Sequence, residues 1–229
     1  MTSPDERART LAGRIETAAR AAGRDPTTVR LVAASKTRTV AEIVAAARTG
    51  AVHAFGENRV QEALPKMAAT PGEGLRWHFI GGLQRNKVKD LGGFELVHSV
   101  SSAALVDAIA ERVPAVPVLV QVNMGFEARK GGVAVDAAGE TVHRCLVRGV
   151  HVEGLMTMAP RGDREAARRC FAGLRALRDE ISHDLGVALP ELSMGMTEDF
   201  EIAIAEGATL VRVGRALFGD RPPPRRTTG

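Results

Sequence analysis

Two hydrophobic periods alternate along the chain. Ser3-Pro4-Asp5-Glu6 reads as an N-cap, a first-turn proline and a capping-box acid. Ala8, Leu11, Ala12, Ile15, Ala18, Ala19 and Ala22 follow at helical spacing. This predicts an opening amphipathic helix closed by Gly23 and Pro26. Residues 29–35 (VRLVAAS) are then a nearly continuous apolar run, the pattern of a strand covered on both faces, with Lys36 at its C-terminal end. Thr39 and Glu42 form a second capping box before Val40, Ile43, Val44 and Ala47, and Gly50 marks the stop.

The strand-then-helix pattern recurs, with further strands predicted over 52–56, 77–81, 96–100, 116–123, 151–157, 191–193 and 209–213. Between them lie helical runs such as Ala166, Ala167, Cys170, Phe171, Leu174, Leu177 and Ile181. Strict alternation argues for parallel strands joined by crossover helices. A doubly wound open sheet shares that pattern, but eight units in a chain of 229 residues is the arithmetic of a small (β/α)8 barrel with an extra N-terminal helix. No Ser/Gly/Pro linker interrupts residues 1–221, which read as one α/β domain. Residues 222–229, with three prolines and two arginines, read as a short disordered tail.

Composition narrows the partners. Hydrophobic residues make up 45% and charged residues 25%, ordinary for a soluble domain that buries a core. The net charge of +4 owes part of its surplus to Arg221, Arg225 and Arg226, and the chain has seven Phe, one Trp and no Tyr. A nucleic-acid surface wants a clustered basic stripe with rings for stacking, so that partner is discounted. Cys145 and Cys170 lie far apart without a His or Cys at ligand spacing, which predicts no metal site there and points to a reducing cytoplasm. Acids among the first thirty residues argue against a signal or transit peptide, and no apolar run reaches membrane-spanning length. With no sustained heptad or exposed aromatic patch, a monomer is expected.

The barrel reading places the chemistry. Active sites form at the C-terminal strand ends, and phosphate is commonly held after strands seven and eight. There the chain has Ser193-Met194-Gly195-Met196-Thr197, leading to a helix at about Glu198, and Gly214-Arg215-Ala216-Leu217-Phe218-Gly219. Both are small-residue turns into helix starts, which suit anions; Thr197 serving only as an N-cap is the plainer alternative. Closure sets strand one beside strand eight, at about 4.8 Å, so Lys36 borders these turns. Side-chain alternation puts Lys36 on one face with Val32 and Ala34, and Arg212 with Leu210 and Gly214. A lysine in an apolar barrel mouth near Arg212 is expected to have its pKa depressed from about 10.4, which supplies the neutral amine for a Schiff base. A phosphorylated aldehyde is implied: pyridoxal 5'-phosphate (PLP), or a sugar phosphate in an aldolase-type reaction.

The chain resembles the pyridoxal phosphate homeostasis protein family, single-barrel relatives of the alanine racemase N-terminal domain. The likeness runs from about Leu31 to Gly219 and is carried by Ala34-Ser35-Lys36-Thr37, Phe55-Gly56-Glu57-Asn58, His78-Phe79-Ile80-Gly81 with Leu83-Gln84 and Asn86-Lys87, Gly154-Leu155-Met156, Ser193-Met194-Gly195-Met196-Thr197, and Val211-Arg212-Val213-Gly214. The resemblance implies that Lys36 carries PLP as a covalent aldimine and that Asn58 and Met156 line the cofactor. It further implies that Ser193, Met196, Thr197, Gly214 and Arg215 surround the phosphate, and that Arg212 faces the pyridine nitrogen. A guanidinium there disfavours protonation of the ring and weakens it as an electron sink. Arg215 departs from the small hydroxylated residue common in the family, and any aromatic ending seen in relatives is missing after Gly219.

Two functions compete. A two-base racemase needs an acid/base on each face of the cofactor, and the racemase relatives take the second from a tyrosine in a further domain; this chain has no tyrosine. His78 is a weak substitute. The leading reading is therefore a PLP-binding protein with no dedicated reaction, which stores, buffers or delivers the cofactor, with PLP-dependent apoenzymes as transient clients. A fold-type-III amino-acid racemase of weak or no activity is the alternative. Lys130, in Arg129-Lys130-Gly131-Gly132 after strand five, aligns with a family K-x-G pattern and is a candidate transient acceptor during transfer.

Overall fold

The strand that ends at the candidate lysine, β1 (Arg30–Ala34), pairs in parallel on one side with β2 (Ala54–Glu57) and on the other with β8 (Leu210–Val213). Between them β3 (Trp77–Phe79), β4 (Leu96–Val100), β5 (Val118–Gln121), β6 (Val152–Met156) and β7 (Glu191–Ser193) pair in chain order, so eight parallel strands close into a barrel. This is a computed structural model, and it describes residues 4–125 and 131–219. Ser3, Lys130, the domain end expected at 221 and the tail 222–229 lie outside the described residues. Every expected strand is present, most of them trimmed by one or two residues at an end, where the chain turns out of the ladder, and β2 runs one residue further than expected, to Glu57.

The outer ring consists of α2 (Val40–Arg48), α3 (Val60–Ala68), α4 (Ala103–Arg112), α5 (Ala138–Val147), α6 (Arg164–Leu185), α7 (Phe200–Ala205) and α8 (Arg215–Phe218), preceded by α1 (Pro4–Ala21). The Thr39–Glu42 capping box forms as expected and starts α2. The crossover from β3 to β4 carries only the 3-10 segment Arg85–Asp90. The last two helices are short, and α1 packs against both, burying Ala8, Leu11, Ile15 and Ala19 at helical spacing. Arg7 and Arg24 tie it down by donating to the carbonyls of Leu217 and Ile204, both at 2.8 Å.

Strand alternation makes two cores. The larger lies between strands and helices and includes Leu31, Ala33, Phe55, Trp77, Phe79, Val118 and Val211. The smaller fills the barrel with Val32, Leu96, Leu119, Met156 and Leu210. Gly154 brings β6 against β7, because a Cβ there would meet Glu191 O at 1.9 Å. Gly195 turns the chain after β7 at φ +90°, and a Cβ there would meet Ala203 Cβ at 2.6 Å. Among the described residues, no helix is long and apolar enough to cross a membrane.

The glycines yield a paired prediction. Gly154→Ala forces β6 and β7 apart and should lower stability by about 3 kcal/mol or more, read as a melting temperature reduced by roughly 6–12 °C. Gly13→Ala, in the middle of α1 with nothing within 4 Å of its Cβ, should instead raise stability by about 0.5–1 kcal/mol. Thermal melts of the two variants check both signs.

Candidate functional site

The peptide between β1 and α2 is a short turn in which the Arg38 N–H donates to the Ser35 carbonyl at 3.0 Å. Thr37 sits in it at φ 66°, the only positive-φ residue other than glycine among the described residues. A β-branched side chain in that region costs on the order of 1–3 kcal/mol, so the turn persists because both ends are held. On one side the buried Ser35 hydroxyl donates to Glu57 Oε1 at 2.7 Å, and Lys66 Nζ donates to the same oxygen at 2.6 Å and to the Ser35 carbonyl at 3.0 Å. On the other side the buried Arg38 donates to the Gly219 carbonyl at 2.6 Å and to Glu42 at 3.3 Å, and lies over the Phe218 ring. Lys36 is presented between these two clamps.

Closure of the barrel sets Val32 of β1 directly beside Arg212 of β8. Val32 points inward, so Arg212 does too, and its guanidinium is buried. It donates to the Ser193 hydroxyl and, at 2.9 Å, to the Thr157 carbonyl. Desolvation lowers its pKa to about 10 while the Asp199 carboxylate pulls the other way, so it stays charged at neutral pH. Burial raises the Asp199 pKa, opposed by the Met196 N–H, which donates to Asp199 Oδ1 at 2.6 Å, and by Arg212. Asp199, not Thr197, occupies the N-cap position of α7, and that helix starts at Phe200, two residues later than expected.

One cavity of about 360 Å³ joins these parts, within the range of small-molecule sites. Ala34, Lys36 and Arg38 line it from the first strand, Met196 to Asp199 from the turn after β7, and Arg212, Gly214 and Arg215 from β8 and its turn. A third wall was not anticipated: Pro160 to Arg164, the loop after β6 that enters α6, and Ala167. Lys36, Arg38, Arg161, Arg164, Arg212 and Arg215 face Asp163, Glu198 and Asp199, so cations outnumber acids six to three. On the rim Arg215 pairs with Glu198. Gly214 admits close approach to β1, since a Cβ there would meet the Ala34 carbonyl at 3.2 Å.

Six of the nine expected residues thus share one cavity: Lys36, Met196, Thr197, Arg212, Gly214 and Arg215. Asn58, Met156 and Ser193 do not line it. Met156 belongs to the apolar filling of the barrel. Asn58 follows β2, where Gly81 lies close against its backbone, and its Oδ1 is buried without a hydrogen-bond partner. The Ser193 hydroxyl is fully buried beneath Arg212 and also contacts His98 Nδ1 at 2.7 Å, and His98 Nε2 in turn meets His78 Nδ1 at 3.0 Å. Burial lowers the His78 pKa to about 3 and puts that of His98 well below the ordinary value, so both rings stay neutral and hydrogen-bond in series beneath Arg212. Sequence reasoning missed Arg38, Arg161, Arg164 and the Glu57–Lys66 clamp. The two arginines after strand six were open to the same rule that located strands seven and eight, while Lys66 is far from Ser35 in the chain and carries no local signal.

A model of the alanine racemase N-terminal domain matches residues 8–222. The chain is 44% identical over 223 residues to the pyridoxal phosphate homeostasis protein of Aquifex aeolicus, covering 94% of this chain and 97% of that one. Among solved structures, an unknown protein from Bifidobacterium adolescentis superposes with a TM-score of 0.86 at 36% identity, covering 93% of this chain and 94% of that one. PipY of Synechococcus elongatus, with PLP bound, superposes with a TM-score of 0.75 at 33% identity, covering 91% of this chain and all (100%) of that one.

The clamp behind Lys36 is open to direct test. Lys66→Met leaves the Glu57 carboxylate buried beside Ser35 without its cation and should cost about 3–5 kcal/mol in urea unfolding. The double variant Glu57→Leu with Lys66→Met should recover much of that loss, because no uncompensated charge is left behind.

Proposed function

The chain belongs to the pyridoxal phosphate homeostasis protein family, built on the alanine racemase N-terminal domain, and from that premise we propose that it binds PLP at Lys36 and stores, buffers or delivers it. The observation that carries this reading is the meeting of Lys36, Arg212 and the turns after β7 and β8 in one cavity with an excess of positive charge. An aldehyde bearing a phosphate matches both halves of that chemistry: an amine for the carbonyl, and cations with backbone N–H groups for the anion. Bound there, the cofactor supplies an electrophilic aldehyde that the lysine captures reversibly.

The residues divide the work as follows. Lys36 is the nucleophile, held on its turn by Ser35 and Arg38. Met196, Thr197, Gly214 and Arg215 hold the phosphate, and Arg215 exchanges its pairing with Glu198 for the anion. Arg212 faces the ring nitrogen; its guanidinium only donates, so the nitrogen it meets stays unprotonated. Ser193, whose hydroxyl is already engaged by Arg212 and His98, positions that guanidinium instead of reaching the phosphate. Asn58 and Met156 lie behind the cavity lining, and the resemblance alone assigns them to the ring's surroundings. A weak electron sink suits holding the cofactor better than carbanion chemistry. The protein is read as a cytoplasmic monomer whose transient partners are PLP-dependent apoenzymes, and its two cysteines are buried thiols.

The purified protein should be yellow, lose its colour on borohydride reduction, and carry the reduced pyridoxyl mass on Lys36 in tryptic mass spectrometry, with Lys36→Ala colourless. Modification of another lysine in place of Lys36 overturns the assignment. Incubated with either enantiomer of alanine, the holoprotein should leave it unchanged; sustained interconversion favours the racemase reading over the carrier.

A further inference from the structure

The N-terminal ends of the strands enclose a second cavity, of about 450 Å³, at the opposite mouth of the barrel. His53, His78, Glu95, His151, Glu153 and Glu191 are among the residues lining it, with Arg30. Its three carboxylates outnumber the two arginines beside it, Arg30 ion-paired with Glu191 and Arg76 near Glu95, so the pocket favours a cation over an anion. Within it His53, His78 and Glu95 each offer a ligand atom, all within 4.8 Å of one another, and no other such group occurs among the described residues.

His78 makes this more than a cluster of polar side chains. It is 2% exposed, and its Nε2 is buried without a hydrogen-bond partner. Burying a polar nitrogen unmatched is costly, and a ligand in the adjoining cavity would satisfy it. Its other nitrogen, Nδ1, lies 3.0 Å from His98 Nε2. That is the backing a metal-bound imidazole uses: the far N–H donates to an acceptor, which fixes the ring and leaves the near nitrogen's lone pair for the ion. Arg76 supplies a third observation, because this guanidinium already stands between the other two ligands, 3.5 Å from His53 Nε2 and 3.7 Å from Glu95 Oε1. Both contacts are long, and Arg76 is 53% exposed, so a better cation can displace it into solvent.

We propose that His53, His78 and Glu95 form a binding site for a divalent transition-metal ion, with Zn²⁺ the best match, at the mouth of the barrel opposite Lys36. Two imidazoles and one carboxylate are a borderline-soft donor set suited to zinc, with a fourth position left for water. Bonds of about 2.0–2.2 Å at tetrahedral angles require ligand atoms roughly 3.3 Å apart, closer than the present spread. His53 and the half-exposed Glu95 supply the movement by side-chain rotation, while His78 stays fixed by His98. The site shares no residue with the proposed cofactor cavity, so its failure leaves the cofactor reading untouched.

The test is a Zn²⁺ titration of the full chain in competition with a chromophoric chelator. One equivalent should bind with micromolar affinity, weakened roughly tenfold or more in Glu95→Gln and also in His53→Gln, both changes at positions that are not fully buried. Absence of saturable binding, or binding that survives either substitution unweakened, overturns the proposal. A wild-type measurement removes dependence on variants: in long-range ¹⁵N–¹H spectra, Zn²⁺ should shift the ring nitrogens of His53 and His78, and shifts confined to other histidines overturn it.

Discussion

Pairing of β8 with β1 is the constraint on which the rest of the molecule depends. Each strand contributes few ladder bonds, β7 as few as three residues, and only closure leaves no edge unpaired. The same pairing is what brings the two ends of the candidate site together. Lys36 and Arg212 are 176 positions apart in the chain, yet Val32 and Arg212 are direct neighbours across the seam and Lys36 lies one turn further on. The helix that packs across the short α7 and α8 therefore supports the site indirectly: α1 covers the part of the ring where the last helices are too short to cover it themselves.

Charge inside the barrel is managed by what surrounds it. A bare guanidinium beside Val32 and Leu210 would be prohibitive, and Arg212 is tolerated because Ser193 and Thr157 accept its hydrogen bonds and Asp199 lies near enough to oppose the desolvation. Ser193 is in turn backed by His98, and His98 by His78. Neutral rings suit that position, since protonation of either would set a second cation beneath the first. The barrel interior is thus not a uniform apolar plug: a thread of polar side chains runs through it beside the five-residue apolar cluster.

Much of this was legible before any coordinates. Period and capping residues identified all eight strands and the start of α2, since continuous apolar runs and a Thr-x-x-Glu box are local signals. The rule that barrel sites form at C-terminal strand ends singled out Lys36 and the turns at 196–197 and 214–215. What stayed hidden depends on contacts between distant segments. Ser193 sits among the right neighbours in sequence, but alternation along β7 turns its hydroxyl inward, under Arg212 instead of out to the cavity. Arg38 reads as an ordinary helix-start arginine until Gly219 and Phe218 are seen to receive it. Glu57, the last residue of β2, carries no local sign of its partner, and Lys66 from the following helix explains its burial.

The strained turn at Thr37 ties these points together. Glycine would adopt φ 66° without penalty, so a threonine there is held by its surroundings and not by local preference. The surroundings are the Glu57–Lys66 pair before Lys36 and the Arg38 contacts after it, and these rest respectively on α3 and on the last residues of α8. A lysine fixed at both flanks keeps its backbone in place. For the capture and release of an aldehyde proposed above, that arrangement holds the backbone of the amine while the turns after β7 and β8, anchored to other strands, stay where they are.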